Sequence, residues 1–168
     1  MHWYDWLTLA IVVGGTIVQT VRGNKAGGMG LPLFEGAGLV VAAVASTALT
    51  GPIAEVTHAQ RSVVMIGLFL VLGVLAFVGG RWLFSLTGLS FQSLDGFFNV
   101  VFGLVGAWAI AHMVLRIIIE SQGYNGEVMA QMANSPVARE VFSFRTWNAL
   151  MRLLFRARLG PELDPDLG

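Results

Sequence analysis

The chain has 168 residues, of which 55% are hydrophobic and only 12% charged, with a formal net charge of zero and a mean hydropathy of +0.72. A soluble domain of this size has too few polar side chains in such a composition to cover its own surface, and zero net charge gives no basic footprint for nucleic acid. There are no cysteines, which excludes disulfides, thiolate metal sites and a cysteine nucleophile.

Four apolar stretches occupy residues 3–21, 31–49, 62–84 and 96–119. Each meets or approaches the roughly 20 residues that a bilayer-crossing helix needs. The sequence therefore predicts an all-α, multi-pass membrane protein: a bundle of four transmembrane helices over residues 1–120, followed by a polar connection and a C-terminal amphipathic interfacial helix. The first stretch lacks a positive n-region and a small-residue cleavage site, so it is expected to be a retained span rather than a secretory signal. Trp3, Tyr4 and Trp6 suit the headgroup level, where a ring can sit in hydrocarbon and its polar atom in water.

The glycine-rich segment from Arg22 to Gly30 reverses the chain, with Pro32 suited to the first turn of the second helix. Thr50-Gly51-Pro52 is expected to close that helix, and the stretch through His58, Gln60 and Arg61 leads to the third. Thr87-Gly88-Leu89-Ser90 opens the connection to the fourth, which Asp95 can cap. Small residues recur every four positions on each span, as Ala10/Gly14, Gly38/Ala42/Ser46, Ala76/Gly80 and Gly103/Ala107/Ala111. In lipid such stripes let helix backbones approach, either within one bundle or, particularly for the fourth helix, between copies in a homo-oligomer.

Polar groups within the spans are few. Glu35, near the start of the second helix, is expected to snorkel to the interface rather than face a polar cavity, and Asn99 lies one turn beyond Asp95. His112, Arg116 and Glu120 recur at four-residue spacing, forming a ladder on the fourth helix in which Arg116 can pair with Glu120. After the spans, Ser135-Pro136 marks a helix start, and an amphipathic helix is expected over about residues 136–158. On it Arg145, Arg152 and Arg156 point in one direction, with Trp147, Leu150, Met151, Leu154 and Phe155 opposite. Such a helix lies in the membrane surface or docks on a partner. Beyond it, the acidic end from Glu162 to Asp166 is expected to be frayed.

Four spans put both termini on one side of the membrane. Two signals for which side oppose each other: the short-loop charges Arg22 and Lys25 against the arginines of the tail. There is no His-Glu-x-x-His, no Gly-x-Ser-x-Gly and no Walker loop, and the three histidines are scattered. No catalytic, cofactor or metal site is expected.

The order of short motifs resembles the colicin V production (CvpA) family of small four-span bacterial inner-membrane proteins. Those motifs are Trp3-Tyr4-Asp5, a span ending in Arg22-Gly23, Thr87-Gly88-Leu89-Ser90 before Asp95, and Phe102-Gly103, followed by the late Ser135-Pro136. The chain departs from the family at Gly27, Gly96 and Gly106-Ala107, where the family usually carries an acidic residue, an Arg and an Arg-Gly pair. The resemblance implies a non-enzymatic accessory or scaffold protein in toxin production or export and in envelope maintenance, with the lipid bilayer and a membrane protein as partners. Arg22 and Asp95 keep their family positions and are expected to meet in an ion pair. The competing expectation is a small transporter or channel subunit whose path is lined by Glu35, Asp95, Asn99, His112 and Arg116; a polar stripe continuous across the bilayer would mark it.

Overall fold

The computed structural model describes residues 3–123 and 127–144. Four long helices make the bundle: α1 (Trp3–Ala26), α2 (Gly30–Thr57), α3 (Arg61–Thr87) and α4 (Asp95–Gln122), each long and apolar enough to cross a membrane. Two short helices follow, α5 (Glu127–Ala133) and α6 (Pro136–Ser143). The described residues contain no strand.

The long helices outrun the apolar stretches, because a helix keeps its backbone hydrogen bonds after its side chains turn polar at the interface. The largest difference is in α2, which does not close at Thr50-Gly51-Pro52 but continues through Pro52 to Thr57. Proline in a helix interior removes one backbone donor. One turn earlier the Thr50 hydroxyl donates to the Ser46 carbonyl at 2.6 Å, and α2 stops only at His58, in the left-handed conformation. At the other end of the bundle, α3 ends at Gly88, whose φ of +55° lets its N–H reach the Phe84 carbonyl.

Helix α4 packs extensively against both α1 and α2, and α2 packs in turn against α3. Small residues set these contacts. A Cβ added at Gly15 would lie 2.8 Å from the Ala107 Cβ, one at Gly38 2.8 Å from the Ala76 Cβ, and Gly36 faces Gly106 backbone to backbone. The α4 stripe of Gly103, Ala107 and Ala111 is buried within the protomer, contrary to its use as an oligomer interface. Its small side chains are already occupied in bringing α1 and α2 close. The Ala10/Gly14 stripe of α1 instead faces outward, with nothing within 4 Å of a Cβ built on Gly14.

Helix α3 is the peripheral element. Leu70, Val71, Val74, Leu75, Val78 and Leu86 are exposed around it, an apolar surface compatible with bilayer lipid. The interior holds Leu39, Met65 and Met113 at mid-bundle, and a second cluster of Tyr4, Leu115, Ile119, Met132, Val141 and Phe142 where α5 and α6 fold back on α1 and α4. Tyr4 therefore does not sit in the headgroup belt with Trp3 and Trp6, both exposed; α5 and α6 cover it.

Candidate functional site

The intramembrane polar residues gather in two places, one at each end of the bundle. At the end where α1 turns into α2, three helices contribute side chains to one junction. Gln19 and Gly23 lie one turn apart on α1, facing Asn99 and Gly103, one turn apart on α4, and α2 brings Pro32 and Glu35 against them. A Cβ at Gly23 would fall 2.5 Å from Asn99 Oδ1 and 2.6 Å from Pro32 Cγ, so only glycine lets these groups meet. Gly103 does the same for the Gln19 Cβ, at 3.1 Å, and Gly80 of α3 lets the Glu35 backbone and side chain pass at 2.9 Å.

Glu35 does not snorkel. It is fully buried, and the Arg22 guanidinium donates to its Oε1 at 2.7 Å. Arg22 is half exposed and also lies over the Phe77 ring of α3, 5.3 Å from its centroid, so one side chain links α1, α2 and α3. This overturns the expected Arg22–Asp95 pair. The reason is competition for the carboxylate: Asp95 is itself the first residue of α4 and does not cap that helix as expected, because its carboxylate accepts from the N–H groups of Met29 and Phe91 and from the Ser90 hydroxyl. Asp95 thereby ties the α1–α2 turn to the α3–α4 connection, while Gly30 donates to the Leu89 carbonyl at 3.0 Å.

Asn99 donates through Nδ2 to the Asn24 side chain at 2.7 Å, and the Gln19 carboxamide lies beside the Glu35 carboxylate. At this junction three acceptor oxygens have no hydrogen-bond partner among the described residues: Gln19 Oε1, Glu35 Oε2 and Asn99 Oδ1. Phe102 takes no part in the polar contacts. It stacks on Phe98 at 5.7 Å, and its carbonyl lines the close approach to Gly36.

At the opposite end, the ladder on α4 divides three ways. His112 stacks on Phe142 and Phe144, each 5.2 Å away, and its Nδ1 lies 3.4 Å from the Val141 carbonyl, which also accepts from Trp108 Nε1 at 3.2 Å. Among the described residues Arg116 has a buried Nε without a hydrogen-bond partner and forms no ion pair with Glu120. Glu120 instead meets Arg61 of α3 at 2.9 Å, because the α3 start and the α4 end lie on the same side.

Helix α6 begins at the predicted Ser135-Pro136, but the cap comes from elsewhere. The Ser135 hydroxyl is buried without a partner, and Asp5, 132 residues before Val137, accepts from the N–H groups of Val137 at 2.9 Å and Ala138 at 3.3 Å. The helix then stops at Ser143, with Phe144 in the left-handed conformation at φ 51°, so it does not run on continuously from residue 136 as expected. The proposed surface residues Arg145, Trp147, Arg152, Phe155 and Arg156 lie outside the described residues.

Sequence reasoning missed Gln19, and it read Asn24 only as part of the glycine-rich turn and Asp5 only as part of an opening motif. Gln19 is the one polar side chain between Thr16 and Thr20 near the end of a span, and that position is its only signal. Comparison of the chain with family models, with curated proteins and with solved structures finds no match in any of the three.

Proposed function

We propose that this chain is a non-enzymatic accessory protein of the bacterial inner membrane, of the kind its resemblance to the colicin V production family implies, serving toxin production or export and envelope maintenance. In this reading the bundle is a frame that holds the C-terminal segment in a fixed position for a membrane-protein partner. The observation that carries it is the seating of α6: its first turn is capped by Asp5, the Val141 carbonyl near its end is held by Trp108 with His112 beside it, and Ala138, Val141 and Phe142 are buried against α1 and α4. A merely tethered tail needs none of these contacts.

The test is affinity purification from lightly crosslinked native membranes. The expected result is a stoichiometric partner that is lost on removing residues 136–168 and weakened by Asp5→Ala. Recovery of self-crosslinked protein alone would overturn the reading.

A transport role has one observation in its favour, the three donorless oxygens at Gln19, Glu35 and Asn99. Against it, Leu39, Ala42 and Ala43 separate Glu35 from the next buried polar groups of α2, Ser46 and Thr50, and Gly103, Gly106, Ala107, Ala109 and Ala111 separate Asn99 from His112 on α4, so the described residues form no continuous polar stripe. Ion flux through proteoliposomes that is abolished by Glu35→Gln would reverse this preference.

A further inference from the structure

Three cations stand at the bundle end where α1 turns into α2: Arg22, Lys25 and Arg81. Their counter-charges are fewer. Glu35 is taken by Arg22 through Oε1, and the Asp95 carboxylate is occupied by Ser90, Phe91 and Met29. Among the described residues Arg81 is exposed and makes no hydrogen bond or ion pair, although Glu35 packs against its neighbour Gly80 and feels its charge. Arg22, Arg81 and Glu35 together therefore carry one uncompensated positive charge.

Depth decides what can neutralise it. Helix α3 has 27 residues, about 40 Å at 1.5 Å per residue, against a hydrocarbon core of about 30 Å. A centred α3 overhangs by about 5 Å at each end, and Arg81 starts six residues before its end at Thr87, or about 9 Å. Its Cα then lies just inside the hydrocarbon boundary, with a guanidinium that reaches outward to phosphate depth. Trp82 beside it is exposed, as a side chain anchored at that boundary would be. An unpaired guanidinium at this depth is costly, and the anion a bilayer supplies there is the lipid phosphodiester.

We propose that Arg81, with Arg22 reaching across to Phe77 on the same helix and Lys25 in the last turn of α1 at the same bundle end, forms a binding site for the phosphate of an anionic phospholipid where Arg22 bridges α1 and α3. The site lies away from α6 and does not depend on the accessory role. Arg81 supplies planar donors for the phosphate oxygens, Arg22 adds the donors left free by Glu35, and Lys25 adds charge farther out. A net-negative headgroup neutralises the surplus charge, whereas a zwitterionic one brings its own cation.

The test uses the purified full chain in mild detergent, with phosphatidylglycerol or phosphatidylcholine added, read by native mass spectrometry and by thermal melting. Wild type is expected to retain and be stabilised by phosphatidylglycerol in preference to phosphatidylcholine. Arg81→Gln should weaken phosphatidylglycerol retention about fivefold, the ratio corresponding to about 1 kcal/mol per basic residue, with an unchanged melting temperature in lipid-free detergent. Arg81→Lys should retain most of the preference, and Arg139→Gln at the opposite end should leave it intact. Equal retention of the two lipids by wild type, an undiminished preference in Arg81→Gln, or an equal loss in Arg139→Gln would overturn the site.

Discussion

The two ends of the bundle are closed by different means. Where α1 meets α2 and α3 meets α4, short turns bring the elements together, and the side chains that lock them act partly between neighbours in sequence, Arg22 reaching Glu35 thirteen residues on and Asp95 reaching Phe91 four residues back, and partly from one turn to the other, Asp95 reaching Met29 and Asn99 reaching Asn24. At the opposite end no short loop joins α1 to α6. There Asp5 must find Val137 across nearly the whole chain, and Trp108 and His112 must find Val141. The first end is built on a buried carboxylate held by a half-exposed guanidinium, inside a bundle already formed by close helix contacts. The distant end is built on backbone groups of a short helix that has no other way to satisfy its first N–H groups. The first should be costly to break and melt with the bundle; the second should be cheaper to break and open alone.

Arg22→Ala is the sharpest way to break that comparison. It leaves Glu35 buried without its partner, for which about 3–5 kcal/mol of destabilisation is expected. Unfolding measured in detergent micelles or bicelles should show it as a loss across the whole bundle. Replacing both partners, as in Arg22→Leu with Glu35→Leu, removes the stranded charge and should recover most of the loss; if the double variant is no better than the single one, burial of the unpaired charge is not the cause. Gly23→Ala comes next. Its methyl meets Asn99 Oδ1 at 2.5 Å and Pro32 Cγ at 2.6 Å, so one of these side chains must give way, and overpacking of this kind costs about 1–3 kcal/mol. A melting temperature unchanged by Gly23→Ala would contradict the tight α1–α4 approach.

How much of this was legible in the sequence follows from how far each contact reaches. The four spans and the all-helical fold were readable because apolar length is a local property and the bilayer fixes what it must be. The chain reversal between Arg22 and Gly30 was readable from its glycines, whereas Asp95 was read as the cap of α4 and the partner of Arg22 and is neither. Glu35 was misjudged because a carboxylate near a helix start has water within reach on its own helix, and only the rotation of α2 relative to α1 turns it inward toward Arg22. Pro52 was read as a stop because proline ends most helices, yet a long α2 can lose one backbone bond where α3 and α4 hold it on both sides. Ser135-Pro136 marked the start of α6 correctly and gave no hint that the cap would be Asp5, since nothing local to either residue encodes a contact 132 positions apart.

Asp5→Ala probes the distant end. Losing a helix cap costs about 1 kcal/mol, within a range of about 0.5–2, so the effect on global unfolding should be small. Hydrogen exchange should report it more clearly: the amides of Val137 and Ala138 and the rest of α6 are expected to lose protection, while those of Leu39, Met65 and Met113 do not. Equal loss of protection in both regions would mean that the tail and the bundle open as one unit, and the contrast between the two ends would fail.

Gly14→Ala should have the smallest effect and the opposite sign. Gly14 is on the same helix as Gly23, yet a Cβ there meets nothing within 4 Å, whereas at Gly23 it meets Asn99 Oδ1 at 2.5 Å. With no clash to pay for, the substitution mainly reduces the conformational freedom lost on forming the helix, a gain of about 0.5–1 kcal/mol in an aqueous reference and less where the unfolded reference is itself helical in the membrane. The pair of variants on one helix thus separates packing from propensity. If Gly14→Ala destabilised the protein as Gly23→Ala does, the outward face of α1 would be covered by something other than lipid, and a second copy of the chain packing on the Ala10/Gly14 stripe would then be the first partner to look for, by crosslinking at that face.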